Sequence, residues 1–157
     1  VSIEVKAVND APVANSQNVE TGEDTSANIT LSGSDPDGEA LTFSVVTGPS
    51  HGTLSGNVPN LTYTPSENYN GSDSFTFKAN DGQADSDLAT VSIRINPAND
   101  APLASSQNIE TDEDSVKNIT LSASDADGDA LEYSIVDGPN HGTLSGAAPN
   151  VIYTPNE

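Results

Sequence analysis

Apolar and polar residues alternate with a period of two along most of this chain, the spacing of half-buried β-strands. Val1, Ile3 and Val5 alternate with Ser2, Glu4 and Lys6. The same alternation returns at Ile29 and Leu31, at Leu41, Phe43 and Val45, and at Leu61 and Tyr63. It returns again at Phe75, Phe77 and Ala79 and at Val91, Ile93 and Ile95, with a short strand around Thr53 and Leu54. Between these runs stand Asp35-Pro36-Asp37-Gly38, Gly48-Pro49, Pro65, Asn70-Gly71 and Asn80-Asp81-Gly82, residues that favour turns and stop strands. No stretch carries a helical period. Short strands at a spacing of roughly ten residues, with this punctuation, predict an all-β, seven-stranded Greek-key sandwich.

The pattern occurs twice. Asn9-Asp10-Ala11-Pro12 reappears as Asn99-Asp100-Ala101-Pro102, and from there to Glu157 the chain aligns with its own earlier part without insertion or deletion. Self-similarity at a fixed period marks a repeat array. The expected organisation is a final strand and linker of a preceding repeat over 1–10, a complete repeat over 11–100, and an incomplete second repeat over 101–157, within a longer array. In the second repeat Ile119 and Leu121, then Leu131, Tyr133 and Ile135, then Leu144, then Val151 and Tyr153 repeat the strand signals. Counterparts of the Phe75 and Val91 strands are missing, which predicts an open sheet edge. Residues 1–8 are a spare strand of the kind that edge lacks, so exchange with another copy of the chain is an expected mode of association.

Composition sharpens the picture. Apolar residues make up 33% of the chain and aromatic residues 4%, which fits small cores. Twenty-four acidic residues against four basic ones give a net charge of -20. Such a field excludes DNA, RNA and anionic lipid as partners and opposes compaction unless cations offset it. There is no cysteine, hence no disulfide framework, thiolate metal site or cysteine nucleophile. No run approaches the ~18 apolar residues of a transmembrane helix, so no membrane insertion is expected.

The acids gather at Glu20, Glu23 and Asp24, at Asp35, Asp37 and Glu39, and at Asp73, Asp81, Asp85 and Asp87. The second repeat matches the first two groups with Glu110, Asp112, Glu113 and Asp114 and with Asp125, Asp127 and Asp129. Calcium takes six to eight oxygens from carboxylates, amides, carbonyls and water, and Asp-x-Asp on a turn can aim two carboxylates at one ion. The run at Asp35 is not an EF-hand, because Gly38 falls in the fourth place and Val46 in the twelfth. By spacing alone, a plain turn and a cation site both fit. His51 and His141 occupy equivalent Pro-x-His-Gly-Thr positions and read as turn residues. Ser50 beside His51 suggests no hydrolase, since Asn140 replaces it in the second repeat.

Ser34-Asp35-Pro36-Asp37-Gly38 leading into Ala40-Leu41-Thr42-Phe43-Ser44-Val45 is one of three segments that resemble a known family. The others are Phe77-Lys78-Ala79-Asn80-Asp81-Gly82 leading into Ala89-Thr90-Val91-Ser92-Ile93, and the linker Asn99-Asp100-Ala101-Pro102. Together they resemble cadherin domains, and more closely the cadherin-like and Ig-like tandem repeats of large bacterial adhesins. Pro49, His51, Gly52, Thr53 and Tyr63-Thr64-Pro65 are similar to the bacterial branch. The resemblance implies calcium at the junctions between repeats. Near residue 100 the implied ligands are Glu23 and Glu67 above, Asn99 and Asp100 in the linker, and Asp125 and Asp127 below. At the earlier junction they are Asn9, Asp10, Asp35, Asp37 and Asp81. The linker differs from the cadherin pattern in carrying Pro97 where those domains usually have Asp. The function implied is a non-enzymatic, calcium-stiffened spacer or adhesive stalk of a bacterial secreted or cell-surface protein, with neighbouring repeats as its partners. The alternative is a calcium-dependent polysaccharide- or protein-binding module. The absence of Trp and the core-like placing of Tyr63 and Tyr153 leave mainly Tyr69 as a sugar platform.

Overall fold

A computed structural model describes residues 1–156, and the chain divides into two units, Val1–Ala98 and Asn99–Glu157. In the first unit the strands are β1 (Val13–Ala14), β2 (Gln17–Gly22), β3 (Ala27–Thr30), β4 (Gly33–Ser34) and β5 (Thr42–Thr47), then β6 (Gly52–Asn57), β7 (Asn60–Pro65), β8 (Gly71–Asn80) and β9 (Ala89–Asn96). Seven of them form the two sheets of a sandwich, in the orders β2-β9-β8-β5 and β3-β7-β6, while β1 and β4 make a small ribbon. No helix occurs among the described residues.

The alternation seen in the sequence sets the facing. In β8 and β9 every second residue is buried: Phe75, Phe77 and Ala79 on one, Ala89, Val91, Ile93 and Ile95 on the other. The opposite sheet contributes Ile29, Leu61 and Tyr63, and Leu31 beyond β3 completes the cluster. Fully burying such a side chain contributes ~1.5–3 kcal/mol, so β8 and β9 supply a large share of the core. The edge strand β5 shifts register between Val45 and Thr47, which leaves Val46 exposed. A bulge at an edge discourages strand addition by a second chain.

At one end of the sandwich a buried carboxylate fixes the turn before β6. Asp73 accepts the Ser50 and His51 amides at 2.9 Å, the Ser74 amide at 2.8 Å and the Tyr63 hydroxyl at 2.8 Å. Burial works against its charge, but the donors from Ser50, Tyr63, His51 and Ser74 outweigh burial and hold the carboxyl below its ordinary range. Burial, reinforced by Asp73, pushes the Tyr63 phenol up. The His51 ring stacks on Tyr69 with centroids 4.1 Å apart.

In the second unit β10 (Leu103–Ala104) pairs with β12 (Ala123–Ser124), and β11 (Lys117–Thr120), β14 (Asn150–Pro155) and β13 (Gly142–Ala147) form one sheet in that order. These elements reproduce β1-β4 and β3-β7-β6. Two expectations are corrected. Leu131, Tyr133 and Ile135 form no strand, because their counterpart β5 is hydrogen-bonded to β8 and this sequence contains no second copy of β8. Residues 1–8 likewise form no strand and are exposed, since an extended segment becomes a strand only when a neighbour takes its hydrogen bonds. The same shortage of partners leaves Ile119, Leu121 and Tyr153 half-buried, where Ile29, Leu31 and Tyr63 are buried.

Candidate metal-binding ends of the repeat

Asp35-Pro36-Asp37-Gly38 folds as its composition dictates. Proline presets the backbone for the turn, and Gly38 takes φ +85°, a conformation that glycine adopts without strain. Asp35 Oδ1 accepts the Asp37 amide at 2.8 Å and the Glu39 amide at 3.3 Å. The turn therefore directs the carboxyl groups of Asp35, Asp37 and Glu39 to one place, where one oxygen from each lies within 4.8 Å of the others. Calcium–oxygen bonds are about 2.4 Å long, so two oxygens on one ion stand at most about 4.8 Å apart. Asp35 Oδ2 and Glu39 Oε2 are sheltered from solvent and find no hydrogen-bond donor. Contact with the Asp35 carboxylate, together with partial burial, pushes the Glu39 carboxyl above its ordinary range. Burial opposes the Asp35 charge, but contact with Glu39 and the amides of Glu39, Asp37 and Gly38 hold its carboxyl low. Two carboxylates so placed compete for one proton or one cation.

The entering linker is fastened to the same end of the unit. The Asp10 amide donates to Asp37 Oδ2 at 2.8 Å, and Asn9 Nδ2 donates to Asp81 Oδ2 at 3.0 Å. Asp81 also accepts the Gln83 and Ala84 amides at 2.6 Å. The Ala84 amide, the Asn9 side chain and the Gln83 amide keep its carboxyl below the usual range. Gln83 Nε2 closes the arrangement by donating to Asn9 Oδ1 at 2.8 Å. The second unit repeats the turn and the clasp. Asp125 Oδ1 accepts the Asp127 and Asp129 amides at 3.0 and 3.1 Å, and the Asp100 amide donates to Asp127 Oδ2 at 2.7 Å. Asn99 Nδ2 donates to the Asp100 carbonyl at 2.9 Å, as Asn9 does to Asp10 at 3.2 Å.

At the opposite end of the first unit Glu23 is 3% exposed. It follows β2, and its carboxylate accepts the Ala98 amide, at the start of the outgoing linker, and Asn70 Nδ2 at 3.2 Å. Glu67 stands exposed in the turn after β7 and is not part of this arrangement. The structure thus gathers Asn9, Asp10, Asp35, Asp37 and Asp81 at one end of the first unit and Asn99, Asp100, Asp125 and Asp127 in the second, with Glu23 at the first unit's exit. Glu39, Gln83 and Asn70 were missed as site residues in the sequence. For Glu39 the available signal was its place in the acidic run, matched by Asp129. The third acidic group does not hold together: Asp73 and Asp81 lie at opposite ends of β8, and Asp85 bonds Lys78 and Asn80.

A tandem Ig-like sandwich with an Asn-Asp linker clasped by an Asp-x-Asp turn is matched by the family model described as the bacterial Ig domain, over residues 9–94 and again over 99–157. The chain belongs to the bacterial Ig domain family. Among relatives of this bacterial Ig domain chain, integrin beta-like protein A of Dictyostelium discoideum is 36% identical over 115 residues, covering 62% of the chain and 6% of the relative. Integrin beta-like protein B of the same organism is 30% identical over 157 residues, covering 88% and 8%. The chain therefore spans under a tenth of the length of these relatives. Among solved structures, an endo-fucoidan hydrolase of glycoside hydrolase family 107 is similar with a TM-score of 0.45 and 25% identity, over 92% of this chain and 24% of that one. The extracellular cadherin domains 1–4 of protocadherin gamma B7 give a TM-score of 0.43 and 16% identity, over 93% and 41%.

Proposed function

We propose that this chain is a stretch of a calcium-stiffened extracellular spacer, a stalk of tandem bacterial Ig domains that serves in adhesion rather than catalysis. The observation that carries this reading is the convergence of Asp35, Asp37 and Glu39 with sheltered oxygens that lack donors. Asn9, Asp10 and Asp81, held beside them through Asp37 and the linker, are further oxygen donors within the same unit. Calcium there would neutralise carboxylates that otherwise repel, and would join the linker to the body of the repeat through ionic contacts added to the existing hydrogen bonds. Glu23 secures the chain where it leaves the repeat, so linker freedom is restricted at both ends. The family and the two integrin beta-like relatives agree with a place at the cell surface. Extracellular modules commonly bind calcium at ~10⁻⁴ to 10⁻³ M, within reach of the fluids outside cells.

Calorimetric titration with calcium, paired with thermal unfolding in calcium and in chelator, tests the proposal. Saturable binding with a raised Tm, lost when Asp35 and Asp37 become Asn in the first unit and Asp125 and Asp127 become Asn in the second, is the expected result. Absence of binding up to several times the ~10⁻³ M range would refute it.

A further inference from the structure

Asn70 is followed by Gly71, both are exposed, and Gly71 holds φ +136°. That backbone angle demands glycine, so the fold keeps a residue without a side chain directly after Asn70, where Gly71 opens β8 opposite Ile95. The Asn70 amide is also placed where its identity matters, because it donates to Glu23 Oε2 at 3.2 Å while Glu23 Oε1 holds the Ala98 amide. Glu23 is buried, and a buried carboxylate depends on its donors.

We propose that Asn70 is a site of spontaneous deamidation, and that its conversion releases the outgoing linker from the repeat. The Gly71 nitrogen attacks Asn70 Cγ and forms a cyclic imide. The Cγ–Nδ2 bond breaks, and ammonia leaves with the proton of the Gly71 amide. Water then opens the ring. Cleavage at Cγ gives aspartate, and cleavage at the backbone carbonyl gives isoaspartate. One water is consumed and one ammonia released, with no change of oxidation state. Either product replaces a donor to Glu23 with a second negative charge beside it. Like charges so close repel each other, so Glu23 turns away and Ala98 loses its charged acceptor. This inference stands on the Glu23 contacts alone and does not depend on calcium.

The test holds the full chain in warm, mildly alkaline buffer and follows residue 70 by peptide mass mapping with detection of isoaspartate, beside a urea-unfolded sample. Amide hydrogen exchange is measured on the unmodified chain and on Asn70→Asp and Asn70→Gln. Conversion at residue 70 in the folded chain, with Ala98 exchanging about tenfold faster in Asn70→Asp, is the expected result, the factor being that of one lost charge-assisted hydrogen bond. Asn70→Gln retains an amide and closes a ring far more slowly, so it should resist conversion. Conversion confined to the unfolded sample would overturn the modification site. An Ala98 amide equally protected in Asn70→Asp would overturn the release of the linker.

Discussion

Replacing Asp73 tests how much of the sandwich rests on a single carboxylate. Asp73→Ala removes the acceptor of the Ser50 and His51 amides and of the Tyr63 hydroxyl, along with the local bond to the Ser74 amide. Hydrogen bonds to a charged group contribute ~1.5–3 kcal/mol each when no water can replace them. Ser50 and His51 are exposed, so water recovers part of that loss, and Tyr63 retains the His51 carbonyl at 3.2 Å. The net cost is about 3 kcal/mol, which lowers the Tm of a domain this size by roughly 12–24 °C. Asp73→Asn should cost about half as much, because one oxygen still accepts two amides while the new NH2 faces the His51 amide. The sign with pH is fixed. The folded carboxyl lies below its unfolded value, so its contribution is complete above the ordinary aspartate range near ~3.9 and is lost as pH falls through the depressed folded value. Asp73→Asn should therefore flatten the acid limb of the stability profile. Calorimetric melting of the three proteins across that range, with amide exchange at Ser50 and His51, provides the measurement. An Asp73→Ala protein melting within a degree or two of its parent would refute the reasoning.

Calcium affinity should fall at least about tenfold in Glu39→Gln, read by calorimetry, since a calcium site loses strength with each charged ligand removed. Because Asp35 pushes the Glu39 carboxyl up, calcium must displace a proton as pH falls into the upper carboxylate range. Binding should therefore weaken there and release protons, which titrations in buffers of different ionisation heat will detect. Gly52→Ala should destabilise the first unit by more than about 3 kcal/mol in thermal unfolding, because its Cβ would lie 2.5 Å from the Tyr63 ring and 2.6 Å from the Thr64 carbonyl. Gly142→Ala meets the same obstruction from Tyr153 and Thr154, so it should lower the melting of the second unit in the same assay.

Much of the sandwich was legible because period-two alternation survives wherever one face is buried. Phe75, Phe77, Val91, Ile93 and Ile95 stand out by their spacing and lie in the core. The strand β2 carries little signal in the sequence because Asn18 and Glu20 flank a single half-buried Val19, too weak an alternation to mark a strand, and its parallel pairing with β9 is a long-range choice that no local pattern encodes. Leu131, Tyr133 and Ile135 carry the pattern without the strand, which shows that alternation expresses a capacity to pair and not the presence of a partner. In the candidate site the Asp-x-Asp turn was visible because its geometry is local. Glu39 lies outside the pair of aspartates that the resemblance supplies. The separation of Asp73 from Asp81 follows from a ten-residue strand between turns, which holds apart acids that are close in sequence.

The pairing of β2 with β9 bears on what happens when the chain is pulled. These strands run parallel, in register from Gln17 with Val91 to Gly22 with Asn96. The chain enters the sandwich just ahead of β2 and leaves just after β9. Tension applied to the two ends of the unit therefore drags the two strands past one another lengthwise, loading their hydrogen bonds together, whereas a hairpin pulled open at its ends loses them one at a time. The two-residue β1 ribbon would peel away first, and the β2–β9 seam would then act as a mechanical clamp, so that a repeat with a small core can resist sudden force well beyond what its equilibrium stability suggests.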